Sequence, residues 1–351
     1  CNLKAPILWI DPSFDCGRLA IYKSVPSNTK VKLFVQYATF FESFKAVWRD
    51  GQLKNCQSLE DLKELNQEDG CRLEYAANMV HDLINGLGST YKSRLSLSKG
   101  IVESMEKLND HWKLGNSAGE EFLCQKVILA TGSHPRLFTP SNQDHIECIS
   151  LDKVLSTEMG SISTGDSVAV LGSSHSAMLV IKILSEMADR PRKVINFYRS
   201  PLKFAEYLPD SRIKHDNTGL KGEVANWVHR HIVDGHKTFF DGFLERVPLE
   251  GNETRIYDSK LRECTKLVPA IGYDRNRLPS IKVDGQTING LIDYDGKGQI
   301  MHQGLSISGL YGVGIAFPER VLDVDGSPEQ AVGLWKFIRY IDRVIPEIIL
   351  P

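Results

Sequence analysis

The stretch from Asp166 to Ser200 limits the possible folds most sharply. An apolar run, SVAVL (167–171), meets a corner of small residues, Gly172-Ser173-Ser174-His175-Ser176-Ala177, and the amphipathic pattern AMLVIKILSEM follows. KVINFYRS (193–200) then supplies a second apolar segment. A short run that is apolar throughout fits a strand buried on both faces of a parallel sheet, and parallel neighbours need a crossover helix. The spacing therefore predicts a βαβ unit and an α/β chain.

The corner itself carries chemistry. Small residues at its first, third and sixth places match G-x-G-x-x-G/A, with Ser174 in the middle position and Ser176 beside the closing Ala177. Small side chains let backbone approach a pyrophosphate, and the free N–H groups and dipole of a starting helix favour an anion. The second strand ends in Arg199 rather than an acid; an acid there would bind a ribose 2′-hydroxyl, whereas Arg suits a 2′-phosphate. NADP is thus favoured over NAD. A tight turn without a ligand is the alternative, and for His175 the plainer reading is a surface-turn histidine, the sharper one a contact to the nicotinamide cofactor.

Two other strand ends stand out. KVILATGSHPR (126–136) stops at Ala130-Thr131-Gly132, where a small residue, a hydroxyl and a Gly admit close approach to the backbone. ILWID (7–11) ends in Asp11, the place of a ribose-binding acid on a second Rossmann strand. The Gly-rich turn that normally precedes such a strand is then expected upstream of Cys1, outside this sequence.

Elsewhere the pattern is helical over 57–87 and alternates over 99–125, the mark of a β-meander. Strands are expected near 237–247, 253–258 and 264–272. The last helix is expected to open at a Ser327 cap with Pro328 at its first position. Its stripe of Trp335, Phe337, Ile338, Ile341 and Val344 fits a core face better than a partner or membrane surface.

Composition excludes several function classes. Lys+Arg 42 against Asp+Glu 44 leaves no global field for nucleic acid or an anionic membrane. No apolar run is long enough for a spanning helix. Seven cysteines without C-x-x-C or zinc spacing read as reduced thiols, which fits a cytoplasmic setting and makes thiol-disulfide chemistry improbable. No metal pattern occurs, the sequon at Asn252 reads as chance, and a homo-oligomer stays open.

The order of these motifs resembles flavoproteins with two dinucleotide-binding domains, the flavin-containing monooxygenases and their pyridine nucleotide-disulfide oxidoreductase relatives. It comprises Asp11, Gly17-Arg18-Leu19, the SNTK segment with Asn28, ATG at 130–132, GSSHSA, AIGY at 270–273 and YGVGIAFP at 311–318. The resemblance implies two Rossmann-like, three-layer domains. An FAD domain (1–158 and 301–351) is split around an inserted NAD(P)H domain (159–300). It implies FAD contacts at Asp11, Gly17, Arg18, Ala130, Thr131, Gly132 and Gly314, NADPH contacts at Gly172, Ser174, His175, Ser176 and Arg199, and a flavin-side amide at Asn28. A small organic nucleophile, an amine or sulfur compound, is the implied substrate. Departures are the missing F-x-G-x-x-x-H segment, Ile315 where the family carries Asp after Gly, and the first Gly-rich loop. They keep a non-catalytic nucleotide-binding or interaction protein open as the alternative.

Overall fold

A computed structural model describes residues 5–50, 57–139, 145–156, 158, 162–234, 240, 242–251, 253–290 and 292–349. Cys1, Cys56 and Asn252 lie outside them. Ser167–Leu171 is the middle strand of a five-stranded sheet ordered Leu244–Pro248, Lys193–Tyr198, Ser167–Leu171, Lys266–Pro269, Glu147–Cys148. All four pairings are parallel. The helix His175–Glu186 makes the crossover, as the sequence pattern requires.

Alternation explains the layering. Val168, Val170 and Val194 point to one face and pack with Met178, Ile181 and Leu184 of the crossover helix and with Val224 and Val228 of the helix Gly222–Val228. Ala169, Leu171, Ile195 and Phe197 point to the other and pack with Leu249, Leu261 and Cys264. Both faces are covered, so every residue of SVAVL is buried.

The strand expected at 253–258 is a helix, Glu253–Lys260. Thr, Ile and Tyr lean toward strand by propensity, but the second face of the sheet needs cover. Ile256 and Tyr257, adjacent on the helix, pack onto that face. The Ser327 cap is also corrected: Pro328–Ala331 is a strand paired antiparallel with Glu319–Leu322, and the helix starts at Leu334. Pro328 sits at the hairpin's end opposite Leu322, and Gly333, at φ +135, breaks the chain path before the helix can start.

The remaining segments form a second body of structure. Ile7–Asp11 pairs in parallel with Leu95–Lys99. Between them lies a helical excursion whose longest member, Leu73–Thr90, packs Ala76, Met79 and Leu83 against Val31, Phe34 and Ala38 of Val31–Ala38. The meander is Val102–Leu108, His111–Asn116 and Glu121–Cys124. Ser280–Val283 joins its free edge, pairing Ser280 with Ser104. Val127–Leu129 runs parallel to the end of Leu305–Gly312. The final helix buries Ile338, Tyr340, Val344 and Ile348, the last three against Tyr311 and Val313; of the expected stripe Ile338 and Val344 are buried, Ile341 packs partly buried on the same cluster, and Trp335 and Phe337 are half-buried. Among the described residues no helix is long and apolar enough to cross a membrane.

The chain passes between the two bodies twice, and the two passages pair: Ser133–Pro135 lies antiparallel to Tyr273–Arg275. The ATG corner is where the first passage begins. Its Gly132, at φ +77, takes a bond from the Asn276 N–H at 3.1 Å, and the Asn276 amide donates to the Thr131 carbonyl at 2.8 Å.

Candidate functional site

At the Gly172 corner the backbone leaves one choice of residue. Gly172 has φ +119, and a Cβ there would sit 2.3 Å from the Ala270 carbonyl oxygen at the end of the neighbouring strand. The corner is clamped from the other side by Asn196, fully buried, whose amide donates to the Gly172 and Val170 carbonyls at 2.8 and 3.1 Å. Asn196 in turn accepts from Arg246 Nε at 3.1 Å. Sequence reasoning missed Asn196; its signal was a lone amide inside KVINFY.

Beyond the corner, Ser174 occupies the N-cap position but makes no side-chain capping bond, and no acid lies in the first helical turn. The first N–H donors of this twelve-residue helix are unclaimed by side chains, which fits an anion. His175 is half-buried with Nδ1 unpartnered. Burial and the nearby Lys221 charge push its pKa down to about 4, so the ring is neutral at pH 7.

At the end of Lys193–Tyr198, Arg199 is 72% exposed and paired with Glu253 at 2.8 Å. Next to it Arg246 stacks on Tyr198, its guanidinium carbon 4.3 Å from the ring centroid. Arg246 has no acidic partner among the described residues, and its Nη2 is buried without a bond. Burial lowers its pKa from the ordinary guanidinium range.

The SNTK loop faces this unit. Asn28 is exposed at the tip, and Ser27 beneath it is held by Cys71: its N–H donates to the Cys71 carbonyl at 2.7 Å, and its hydroxyl oxygen accepts from the Cys71 N–H at 3.1 Å. Gly222, first residue of the helix Gly222–Val228, has φ +57, and a Cβ on it would lie 3.3 Å from the Ser27 carbonyl and 4.0 Å from Asn28 Cα. Lys221, next to Gly222, is thus near Asn28 and close enough to His175 to act on its charge, while Arg199 follows the end of the neighbouring strand Lys193–Tyr198. Lys221 itself pairs with Asp216, which also takes Lys336 of the final helix at 2.6 Å. The two ammonium groups hold the Asp216 carboxyl below its usual range against the opposing effect of burial.

The residues assigned to FAD are more dispersed. Asp11 Oδ1 caps the next turn, accepting from the Ser13 and Phe14 N–H groups at 2.9 and 2.7 Å. Gly17 is at φ +60 with open space where a Cβ would be, and Gly314, at φ +73, is equally open. Arg18 reaches the ATG passage, donating from Nε to the Ser133 carbonyl at 2.8 Å, and its Nη1 pairs with Asp152. Ala130 is exposed, and the Thr131 and Ser133 hydroxyls are buried without partners, a polar lining that fits a ligand's heteroatoms. Two residues escaped the sequence reading here. Gly312 lies under Phe317, where a Cβ would come within 2.4 Å of the ring; Arg275 covers that ring at 3.9 Å and donates to the Ala316 carbonyl at 2.8 Å.

A further cluster has a metal-like composition. His215, Asp323 and Glu329 offer atoms within 4.8 Å of one another. Their carboxylates already serve the chain. Asp323 accepts from the His215 N–H at 3.0 Å, and Glu329 accepts from the Asn217 amide at 2.8 Å and the Thr218 hydroxyl at 2.7 Å. The trio fastens the 213–221 loop to the 319–331 hairpin.

No protein-family model matches the chain. The monooxygenase AgnR1 of Paecilomyces divaricatus is 36% identical over 357 residues, spanning 97% of this chain and 90% of the relative. Among solved structures, the cyclohexanone monooxygenase of Rhodococcus sp. Phi1 bound to NADP+ superposes with a TM-score of 0.59 at 13% identity, over 98% of this chain and 83% of that one. The ornithine N-hydroxylase of Kutzneria sp. 744 gives a TM-score of 0.59 at 14% identity, over 95% and 89%. These two show a shared fold, whereas the similarity to AgnR1 is close enough and long enough to show kinship, and the chain belongs to the monooxygenase family of AgnR1.

Proposed function

We propose that this monooxygenase takes hydride from NADPH and oxygenates a small organic nucleophile, an amine or a sulfur compound. The observation that carries the reading is the uncapped helix start at Ser174, with its Gly172 cradle, opening beside the loop that presents Asn28. When bound, FAD supplies the redox chemistry, accepting hydride and passing electrons to dioxygen.

The chain's own residues bind and orient. Gly172, Ser174 and Ser176 would receive the pyrophosphate, and Arg199 the 2′-phosphate, where a guanidinium offers two parallel donors to phosphate oxygens. Asp11, Gly17, Thr131, Gly132 and Gly314 would hold FAD. Asn28, on the exposed tip of a loop whose base is pinned by Ser27 and Cys71, would offer an amide to the flavin side of the junction. His175, kept neutral, places no cation against the positively charged ring of the oxidised coenzyme.

Strand pairing supports limits for the NADPH unit other than the expected 159–300, since Glu147–Cys148 already joins its sheet. We place the end of the NADPH unit near residue 275, because Ser280–Val283 pairs with the meander. The test is anaerobic mixing of the FAD-loaded protein with NADPH: the flavin band near about 450 nm should bleach. Air with candidate amines or thioethers should then give substrate-dependent oxygen uptake and an oxygenated product. A flavin that stays oxidised refutes the reading; bleaching without uptake on either class refutes the substrate assignment.

A further inference from the structure

Arg18, Tyr22, Asp152 and Tyr273 meet where the two bodies join, and their side-chain bonds converge on Asp152 directly or through Tyr22. One carboxylate oxygen of Asp152, in the helix Leu151–Leu155, takes Arg18 Nη1, and the other takes the Tyr22 hydroxyl at 2.5 Å. The Tyr22 hydroxyl lies 3.2 Å from that of Tyr273, which lies beside Ser176 of the Gly172 corner. Arg18 also holds the Ser133 carbonyl at 2.8 Å.

The polarity of this chain follows from donor counting. An ionised carboxylate only accepts, and a phenol has one proton. Tyr22 gives its proton to Asp152, so Tyr273 must donate to Tyr22. Arg18 and Asp152 are 26% and 27% exposed, partly dried but within reach of water, where a charge-assisted bond gains strength without the full cost of burial.

Position gives the cluster its meaning. Arg18 and Tyr22 lie on the segment that leads to Asn28, Ser133 and Tyr273 on the two paired passages, and Ser176 in the corner. Fixing these groups to one carboxylate fixes the Asn28 segment relative to the corner.

We propose that Asp152 is a positioning residue: it sets the spacing between the two cofactors and touches neither. This inference rests on the NADPH-to-flavin reading above. Misplacement of reacting groups by about 1 Å can cost about 100-fold in rate. Asp152→Asn keeps the shape but turns one acceptor oxygen into a donor amide facing Arg18 or Tyr22.

The test uses the full chain loaded with FAD, with two readouts. Anaerobic stopped-flow gives the limiting rate of flavin reduction by NADPH, and equilibrium titration gives the Kd for NADP+. For Asp152→Asn the limiting rate should fall about tenfold or more, while the Kd stays within about twofold. Tyr22→Phe and Tyr273→Phe, which each delete one hydroxyl, should lower the rate in the same way by a smaller factor, and they carry the test if Asp152→Asn does not fold. Limiting rates within about twofold of wild type in the folded variants overturn the proposal, as does a loss confined to the Kd. Failure of the wild-type flavin to be reduced overturns the functional reading and this proposal together; normal wild-type reduction with unaffected variants overturns this proposal alone.

Discussion

The side-chain amide of Asn196 donates to the carbonyl of Gly172 at 2.8 Å, tying the second strand of the NADPH unit to the corner that the first strand feeds. The same amide oxygen receives Arg246. A buried polar group so placed supports both the corner and a half-buried guanidinium.

Asn196→Leu should therefore cost about 2–3 kcal/mol of stability, since it removes three hydrogen bonds made by one buried amide. Chemical denaturation measures the loss. Because the corner relaxes as well, NADP+ should bind more weakly in the folded variant.

Gly172→Ala should be worse at the corner than its single methyl implies. The backbone there lies at φ +119 and the methyl would meet the Ala270 carbonyl, so the strand ends must separate. Titration should show NADP+ binding weakened at least about tenfold while FAD binding persists.

Arg199→Ala tests coenzyme choice. The ratio of kcat/KM for NADPH over NADH should fall by about 10- to 100-fold, chiefly through the NADPH value, because a charge-assisted phosphate contact is lost. Glu253→Gln, which frees Arg199 of its partner, should move the ratio the other way.

His175 should make folding sensitive to mild acid. Its pKa is about 4 in the folded chain against 6.5 for the free ring, so the unfolded chain takes up the proton first. Its contribution is intact above pH 6.5, is lost progressively as pH falls toward 4, and levels off below. Denaturation midpoints at pH 7, 5.5 and 4.5 should fall less steeply in His175→Gln than in wild type.

How much of this could be read from the chain depended on range. SVAVL, the corner and KVINFY are local patterns whose burial on both faces leaves an unbroken apolar signal, and the βαβ unit appears as the spacing predicts. The helix Glu253–Lys260 was not legible, because its form is dictated by a sheet face built from residues 169–197. The hairpin at 319–331 imitates a helix start, Ser-Pro-Glu, and only its tertiary ties to His215, Asn217 and Thr218 distinguish it. Within the site, the fingerprint residues were legible by type. Asn196, Asp152, Tyr22 and Arg275 were not, since their partners lie 24 to 134 positions away.

The central claim is that the Gly172 corner delivers NADPH to a flavin held by the other body of the chain. Anaerobic stopped-flow of the FAD-loaded protein, wild type beside Gly172→Ala, tests it most directly. The account predicts rapid bleaching by NADPH in wild type, and in the variant the same bleaching only at much higher NADPH. Equal NADPH dependence in the two proteins, or no bleaching in wild type, would contradict it.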